Sequence, residues 1–365
     1  MNATDTQILL SRVERVCARM RDAGLRQTII SAPPSIFYLT GLKIAPYERM
    51  LALLLESNGT RTLFANPLFA IDVSALPFEC VLIADNGDPI AELVKRVAPG
   101  PLGIDKDWPA RFLLSLMKQR PSAQPRLGSF AVDETRMIKD DVEIWSMQAA
   151  SRLNDKVMSK TVNRLHEGMT EIEVAAILAD NYAELRADLP IGELVVCFGA
   201  AASDPHHKPT RTALTRERCV LMDIFTPVDG YWCDMTRTVY LGTPSDEEVL
   251  MYQLVLAANE AAIRAVRPGV PLREIDRAAR SVIKDGGYGE FFTHRTGHGI
   301  GLELHEAPDV SATSDTLCAP GMIFSVEPGI YKPGLYGVRI EDLVLVTETG
   351  CEVLNTYPKD MRVLL

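Results

Sequence analysis

Residues 221–238, LMDIFTPVDGYWCDMTRT, put two aspartates into a pattern whose reading decides the fold. Asp229-Gly230 suits a type I′ turn, because both residues tolerate a positive φ, and strand-like runs flank it. With these two residues as the loop, Val228 pairs with Tyr231, Phe225 with Asp234, and Asp223 with Thr236. Side chains repeat every second residue along a strand, so Asp223 shares a face with Phe225, and Asp234 with Thr236. Asp223 and Asp234 then become diagonal cross-strand neighbours, about 7–8 Å apart at Cα. Two carboxylates closing on a half-buried sheet repel each other unless a cation lies between them. The alternative is that both face solvent on an edge strand, a reading compatible with Pro227.

Further candidates lie downstream. In GHGIG (297–301), the glycines around His298 let the backbone come close to whatever the imidazole touches. His305-Glu306 offers a second imidazole seven residues on. Glu327 falls in the apolar strand IFSVEPG, and Glu341 in VRIEDLVLV, where Arg339, Glu341 and Leu343 share a face. A glutamate inside an apolar strand must be paired, protonated or metal-bound, and for Glu341 an ion pair with Arg339 is the competing explanation. Jointly these stretches supply two Asp, one His and two Glu. Hard oxygen ligands with a single imidazole suit manganese, cobalt, iron or zinc rather than a thiolate zinc site. Four carboxylates carry four negative charges, which two divalent cations cancel and one does not.

Around these motifs the pattern divides in two. Residues 8–25 predict a helix, and QTIISA, MLALLLE and TRTLFA predict strands, with Asn58-Gly59 as a hairpin turn between the last two. Helices follow at about 89–98 and 108–119, with strand-like PLGID between them, giving an α/β domain over residues 1–127. RPSAQPRLG (120–128) predicts a linker. The second domain, 128–365, opens with a helix over roughly 140–167 that ends at Gly168. Thr170 with Glu173 and Ser245 with Glu248 form capping boxes for later helices, and 271–285 predicts another. The strands beside these helices indicate an α+β domain with a largely antiparallel sheet.

The 365 residues are 47% hydrophobic and 24% charged, as in globular proteins. A formal charge of −10 argues against nucleic-acid or anionic-membrane partners. No apolar run approaches a membrane span, and the N-terminus lacks a basic leader followed by an apolar stretch. Seven scattered cysteines without a CxxC pair predict reduced thiols and a cytoplasmic location.

The order and spacing of Asp223, Asp234, His298, Glu327 and Glu341 resemble the pita-bread metallopeptidases, which include methionine aminopeptidase, aminopeptidase P and prolidase. DGYWCDMTRT, HRTGHGIGLELHEAP, FSVEPGIY, GVRIEDLVLVTE and DPHHKP (204–209) carry the likeness across the second domain. RMRDAGL followed by SIFYLTG looks like the creatinase-type N-terminal domain of prolidases and aminopeptidase P. The resemblance implies a dinuclear centre, manganese foremost, with Asp223 on one cation, His298 and Glu327 on the other, and Asp234 and Glu341 bridging. It implies a metal-activated water as nucleophile, Glu327 as general base and proton shuttle, and His206 and His305 on the substrate side. Thr236 and Arg339 would orient the carboxylates, whereas His207 receives no role.

The implied activity is cleavage of Xaa-Pro bonds in dipeptides or short peptides, by a homodimer. One departure stands out. Some short prolidases have an arginine after HE-x-P that helps hold the substrate carboxylate, and here that position is Asp309, which repels such a group unless Arg295 compensates. Asp309 motivates the alternative of a small non-peptide amide substrate, as in ectoine-type hydrolases, or a lyase reaction. A non-catalytic binding module on this fold would lose the metal ligands, which this sequence keeps.

Overall fold

The computed structural model describes residues 3–185, 187 and 194–365. The chain divides into two compact units, Met1–Arg136 and Met137–Leu365. The first is a mixed six-stranded sheet in the order Glu79–Leu82, Arg61–Ala65, Ala52–Glu56, Gln27–Ile30, Gly100–Ile104, Ala123–Leu127, with helices that include Ala3–Asp22 and Ala110–Gln119. Its core joins Ile29, Leu54 and Phe64 from the sheet to Ile90, Leu93 and Leu116 from the helices.

The segment 120–128, expected to be a linker, is instead largely the strand Ala123–Leu127, pairing in parallel with Gly100–Ile104. Pro125 is tolerated there because the strand is at the sheet edge. The division between units accordingly lies at 136/137 rather than 127/128.

In the second unit, strands Arg218–Val228 and Tyr231–Leu241 form the hairpin, with Val195–Phe198 and Arg362–Leu364 flanking it. Asp229 and Gly230 both have positive φ, 54° and 93°, and Phe225↔Asp234 and Asp223↔Thr236 are the observed registers. A second, antiparallel sheet runs Glu306–Val310, Gly297–Gly299, Ile323–Val326, Asp342–Val346, Cys351–Val353. Helices Asp141–Val162 and Glu171–Glu184 share a core with the hairpin sheet, through residues such as Val157, Leu178, Met222 and Val239. Helices Asp246–Ala265 and Leu272–Asp285 share one with the other sheet, through Val255, Ile275, Phe324 and Val344.

Both expected capping boxes are present, and Asp140 with Glu143 adds a third. The helix expected over 140–167 ends at Val162, although Leu165 still packs on the core from the turn that follows, which is why its periodicity persists. Glu327 and Glu341 lie just outside strands rather than within them: Ile323–Val326 stops before Glu327, and Ile340-Glu341 separates Tyr336–Arg339 from Asp342–Val346. Among the described residues no helix is long and apolar enough to cross a membrane. The seven cysteines are all free.

Candidate active site

The hairpin brings Asp223 and Asp234 to one wall of a cavity of about 790 Å³, and the second sheet brings His298, Glu327 and Glu341 to the same cavity. Gly297 and Gly299 flank His298 because a Cβ at either would run into backbone, the Ser325 carbonyl at the first and that of Ala307 at the second. The bare backbone lets three strands close up and seats the imidazole inside the sheet.

His298 Nδ1 lies 3.0 Å from Gly299 O, which can only accept, so the proton is on Nδ1 and the lone pair on Nε2. Nε2 points at Glu327 Oε1 (3.3 Å) and Asp234 Oδ2 (4.0 Å). Burial lowers the pKa of His298 to about 4. Partial desolvation, followed by the neighbouring His298, also lowers His305 to about 4, and the two rings lie 4.0 Å apart between centroids. Both imidazoles are therefore neutral near pH 7, the form that ligates metals.

Asp234, His298 and Glu341 are 4%, 3% and 1% exposed, so any charge among them must be answered from within the protein. Asp223 Oδ1, Asp234 Oδ1 and Glu341 Oε1 are buried and have no hydrogen-bond partner among the described residues. Burial foremost, then the neighbouring carboxylates, pushes Asp234 and Glu341 well above the ordinary carboxylate range. Ligand atoms of Asp234, His298 and Glu341 lie within 4.8 Å of one another. Orphaned carboxylate oxygens converging with an imidazole lone pair fit a divalent cation, whose charge reverses the cost of holding them together.

One further oxygen each of Glu341, Glu327 and Asp223 is held by a protein donor. Thr236 Oγ1 donates to Glu341 Oε2 at 2.6 Å, and Ser325 Oγ donates to Glu327 Oε1 at 3.0 Å. Arg339 does not pair directly with Glu341. Its Nη2 holds Asp223 Oδ2 at 2.7 Å, and it reaches Glu341 through Thr236 Oγ1, to which Nε donates at 2.9 Å. The break at Ile340-Glu341 turns the two side chains to different partners, which defeats the alternation assumed for an unbroken strand.

His206 and His305, both exposed, line the cavity. His207 turns the other way, with Nε2 2.8 Å from Glu171 Oε2, and the same buried carboxylate accepts from Thr210 and from the backbone of Phe198. His207 thus ties its loop to the start of a helix. Arg295 lines the cavity and forms an ion pair with Asp309.

Sequence reasoning missed Tyr331 and His294. The Tyr331 hydroxyl accepts from Arg339 Nη1 (3.0 Å) and lies 2.9 Å from His294 Nε2, and since His294 Nδ1 faces the Arg295 carbonyl, Tyr331 is the donor. Their proximity to the stretches expected to carry metal ligands was the signal available; the contact itself spans 37 residues and depends on packing.

Residues 146–348 match Metallopeptidase family M24, and residues 12–138 match the Creatinase/Prolidase N-terminal domain. An uncharacterised peptidase of Staphylococcus haemolyticus is 37% identical over 96% of this chain and all of its own length. The structure of a dipeptidase from Mycobacterium ulcerans superposes with a TM-score of 0.92 at 32% identity, covering 99% of each chain. A prolidase from Thermococcus sibiricus gives 0.91 at 31% identity, covering 97% of this chain and 98% of its own.

Proposed function

The chain belongs to metallopeptidase family M24, and we propose that within it the protein hydrolyses the bond preceding proline in dipeptides or short peptides, using two divalent cations. The observation that carries this reading is the convergence of partnerless oxygens from Asp223, Asp234 and Glu341 on a cavity that also receives the His298 lone pair. With Glu327 the site holds four carboxylates, of which Arg339 offsets one. The net −3 lies midway between the charges of one and two divalent cations, so the support for two comes from the donors: partnerless oxygens on Asp223, Asp234 and Glu341, the Glu327 carboxylate and the His298 lone pair are more than one ion needs.

Asp223 would hold one cation, His298 and Glu327 the other, with Asp234 and Glu341 shared between them. Bound there, the cations supply Lewis acidity toward the scissile carbonyl and lower the pKa of water to about 7. The protein's own groups do the rest. Glu327, steadied by Ser325, takes the proton of the attacking water and hands it to the departing proline nitrogen. His206 and His305, facing the cavity, donate to the carbonyl oxygen as it gains charge. Thr236 and Arg339 keep Glu341 and Asp223 aimed at the cations. Val195, Phe225 and Leu304 on the same cavity wall offer apolar surface to a pyrrolidine ring, and burying that ring excludes water from the bond being cut. Manganese heads the candidate metals, with cobalt, zinc and iron served by the same donor set.

The test is hydrolysis of Xaa-Pro dipeptides, Xaa-Pro tripeptides and matched Xaa-Ala controls by metal-stripped protein, with and without added Mn²⁺, Co²⁺ or Zn²⁺. Cleavage restored by metal and confined to the proline substrates is the expected result. Silence across the panel with two cations bound would shift the substrate to a small non-peptide amide.

The same panel reads the Arg295–Asp309 pair. Asp309 occupies Arg295 electrostatically, so Asp309→Asn should leave that guanidinium available to a substrate carboxylate. The dipeptide-to-tripeptide ratio of kcat/KM is expected to rise roughly 3- to 10-fold, as for one exposed charge–charge contact of about 1 kcal/mol. An unchanged ratio would place the pair outside the substrate's reach.

A further inference from the structure

Asp234, Glu327 and Glu341 sit on or beside strands of two different sheets, and crowded carboxylates push those strands apart. What opposes that push lies outside the cavity wall. Arg237, next but two after Asp234, is buried to 2% exposure, and each of its five N–H donors has an acceptor. Nε donates to Pro358 O at 3.1 Å. Nη1 donates to Thr236 O at 2.9 Å and to Glu341 O at 2.5 Å, gripping the backbone of both ligand-bearing stretches with one nitrogen. Nη2 donates to Tyr357 O at 2.8 Å and to Asp342 Oδ1 at 2.7 Å.

The network continues beyond Asp342. Its other oxygen accepts from Lys359 Nζ at 2.8 Å, and Lys359 also donates to Asn259 Oδ1 at 2.7 Å. Asn259 Nδ2 then donates to Val326 O (2.9 Å) and Ile340 O (3.4 Å), the carbonyls immediately before Glu327 and Glu341. One chain of polar groups, buried except at Lys359, therefore touches the backbone next to Glu327, on both sides of Glu341, and on the Asp234 strand. Buried ion pairs are weak sources of stability, because desolvation offsets their attraction, so their worth here is in the geometry they impose.

We propose that Arg237, with Asp342, Lys359 and Asn259, is a positioning clamp that holds Asp234, Glu327 and Glu341 at the spacing needed to share divalent cations. This rests on the two-cation reading above. The clamp touches neither substrate nor cation in its action; it sets the distance between two sheets that are not joined in one ladder.

The experiment compares wild type with Arg237→Lys, Asp342→Asn and Lys359→Met. Metal-stripped protein is titrated with Mn²⁺ for affinity and stoichiometry, and its unfolding temperature is measured without metal. Each variant is expected to bind Mn²⁺ about 10–100-fold more weakly, the effect of disturbing groups that orient ligands, while remaining folded without metal. The loss in affinity should be larger for Arg237→Lys than for Lys359→Met, since Arg237 grips both strands directly. Variants that unfold at lower temperature yet bind Mn²⁺ with wild-type affinity when folded would overturn the clamp and leave a structural role. Should Arg237→Lys fail to fold, Asp342→Asn and Lys359→Met decide the question, because both keep the guanidinium in place. Wild-type protein that takes up no Mn²⁺ would overturn the two-cation reading and the clamp together, an outcome distinct from unchanged affinity in the variants.

Discussion

Asp234→Ala and Glu341→Ala are each expected to abolish hydrolysis and to lower metal occupancy, because both carboxylates are shared between cations in the proposed site. The Lewis-acid contribution at stake is several kcal/mol, so turnover should fall at least about 1,000-fold, corresponding to roughly 4 kcal/mol. Stability separates this effect from simple damage to the core. In metal-free protein Asp234 and Glu341 are buried beside one another and beside Asp223 and Glu327, and this environment disfavours their ionised forms. Removing one carboxylate relieves that crowding, so the metal-free variants should unfold near the wild-type temperature. The stabilisation that saturating Mn²⁺ gives the wild type, about 2.7 kcal/mol at a hundredfold excess over Kd, should shrink or vanish. Thermal unfolding with and without Mn²⁺, with metal content measured on the same samples, checks both parts. Turnover retained at full metal content in either variant would remove the bridging assignment.

Glu327→Gln is the second large effect. The substitution keeps the side chain's volume and leaves an oxygen to accept from Ser325 Oγ, now 3.0 Å from Oε1. It removes the charge that faces His298 Nε2 and the basic oxygen proposed to accept the proton. General-base catalysis contributes about 10²–10⁴-fold, so kcat should drop by that factor, roughly 3–5 kcal/mol of barrier, with KM and unfolding temperature little changed. Steady-state kinetics beside a melting curve distinguishes the roles: an unfolding temperature that fell in step with kcat would mark Glu327 as a packing residue.

Local chemistry was readable from the chain because it depends on neighbours in sequence. Asp229-Gly230 can form a tight turn with both φ values positive, and once that turn forms, the two-residue period settles which residues oppose Asp223 and Asp234. The capping boxes at Thr170 and Ser245 follow the same logic, since donor and acceptor are three residues apart. Glycines beside His298 signalled close backbone approach, and the strands they admit are those of Ser325 and Ala307.

The partners of the charged groups were decided at a longer range. Arg339 was aligned by periodicity with Glu341, yet it holds Asp223, 116 residues away in sequence, because the chain breaks at Ile340-Glu341. The strand at Ala123–Leu127 looked like a linker, since its proline and polar residues suit an edge whose partner no local pattern reveals. Arg237 gave no signal beyond its place in DMTRT, although it joins Glu341, Asp342, Tyr357 and Pro358 across more than 100 residues. Which residues carry carboxylates and imidazoles, and on which face of the hairpin, is written in local order. The distances that turn them into one site arise only when two sheets meet, because hydrogen-bond and Coulomb energies depend on separation in space rather than along the chain.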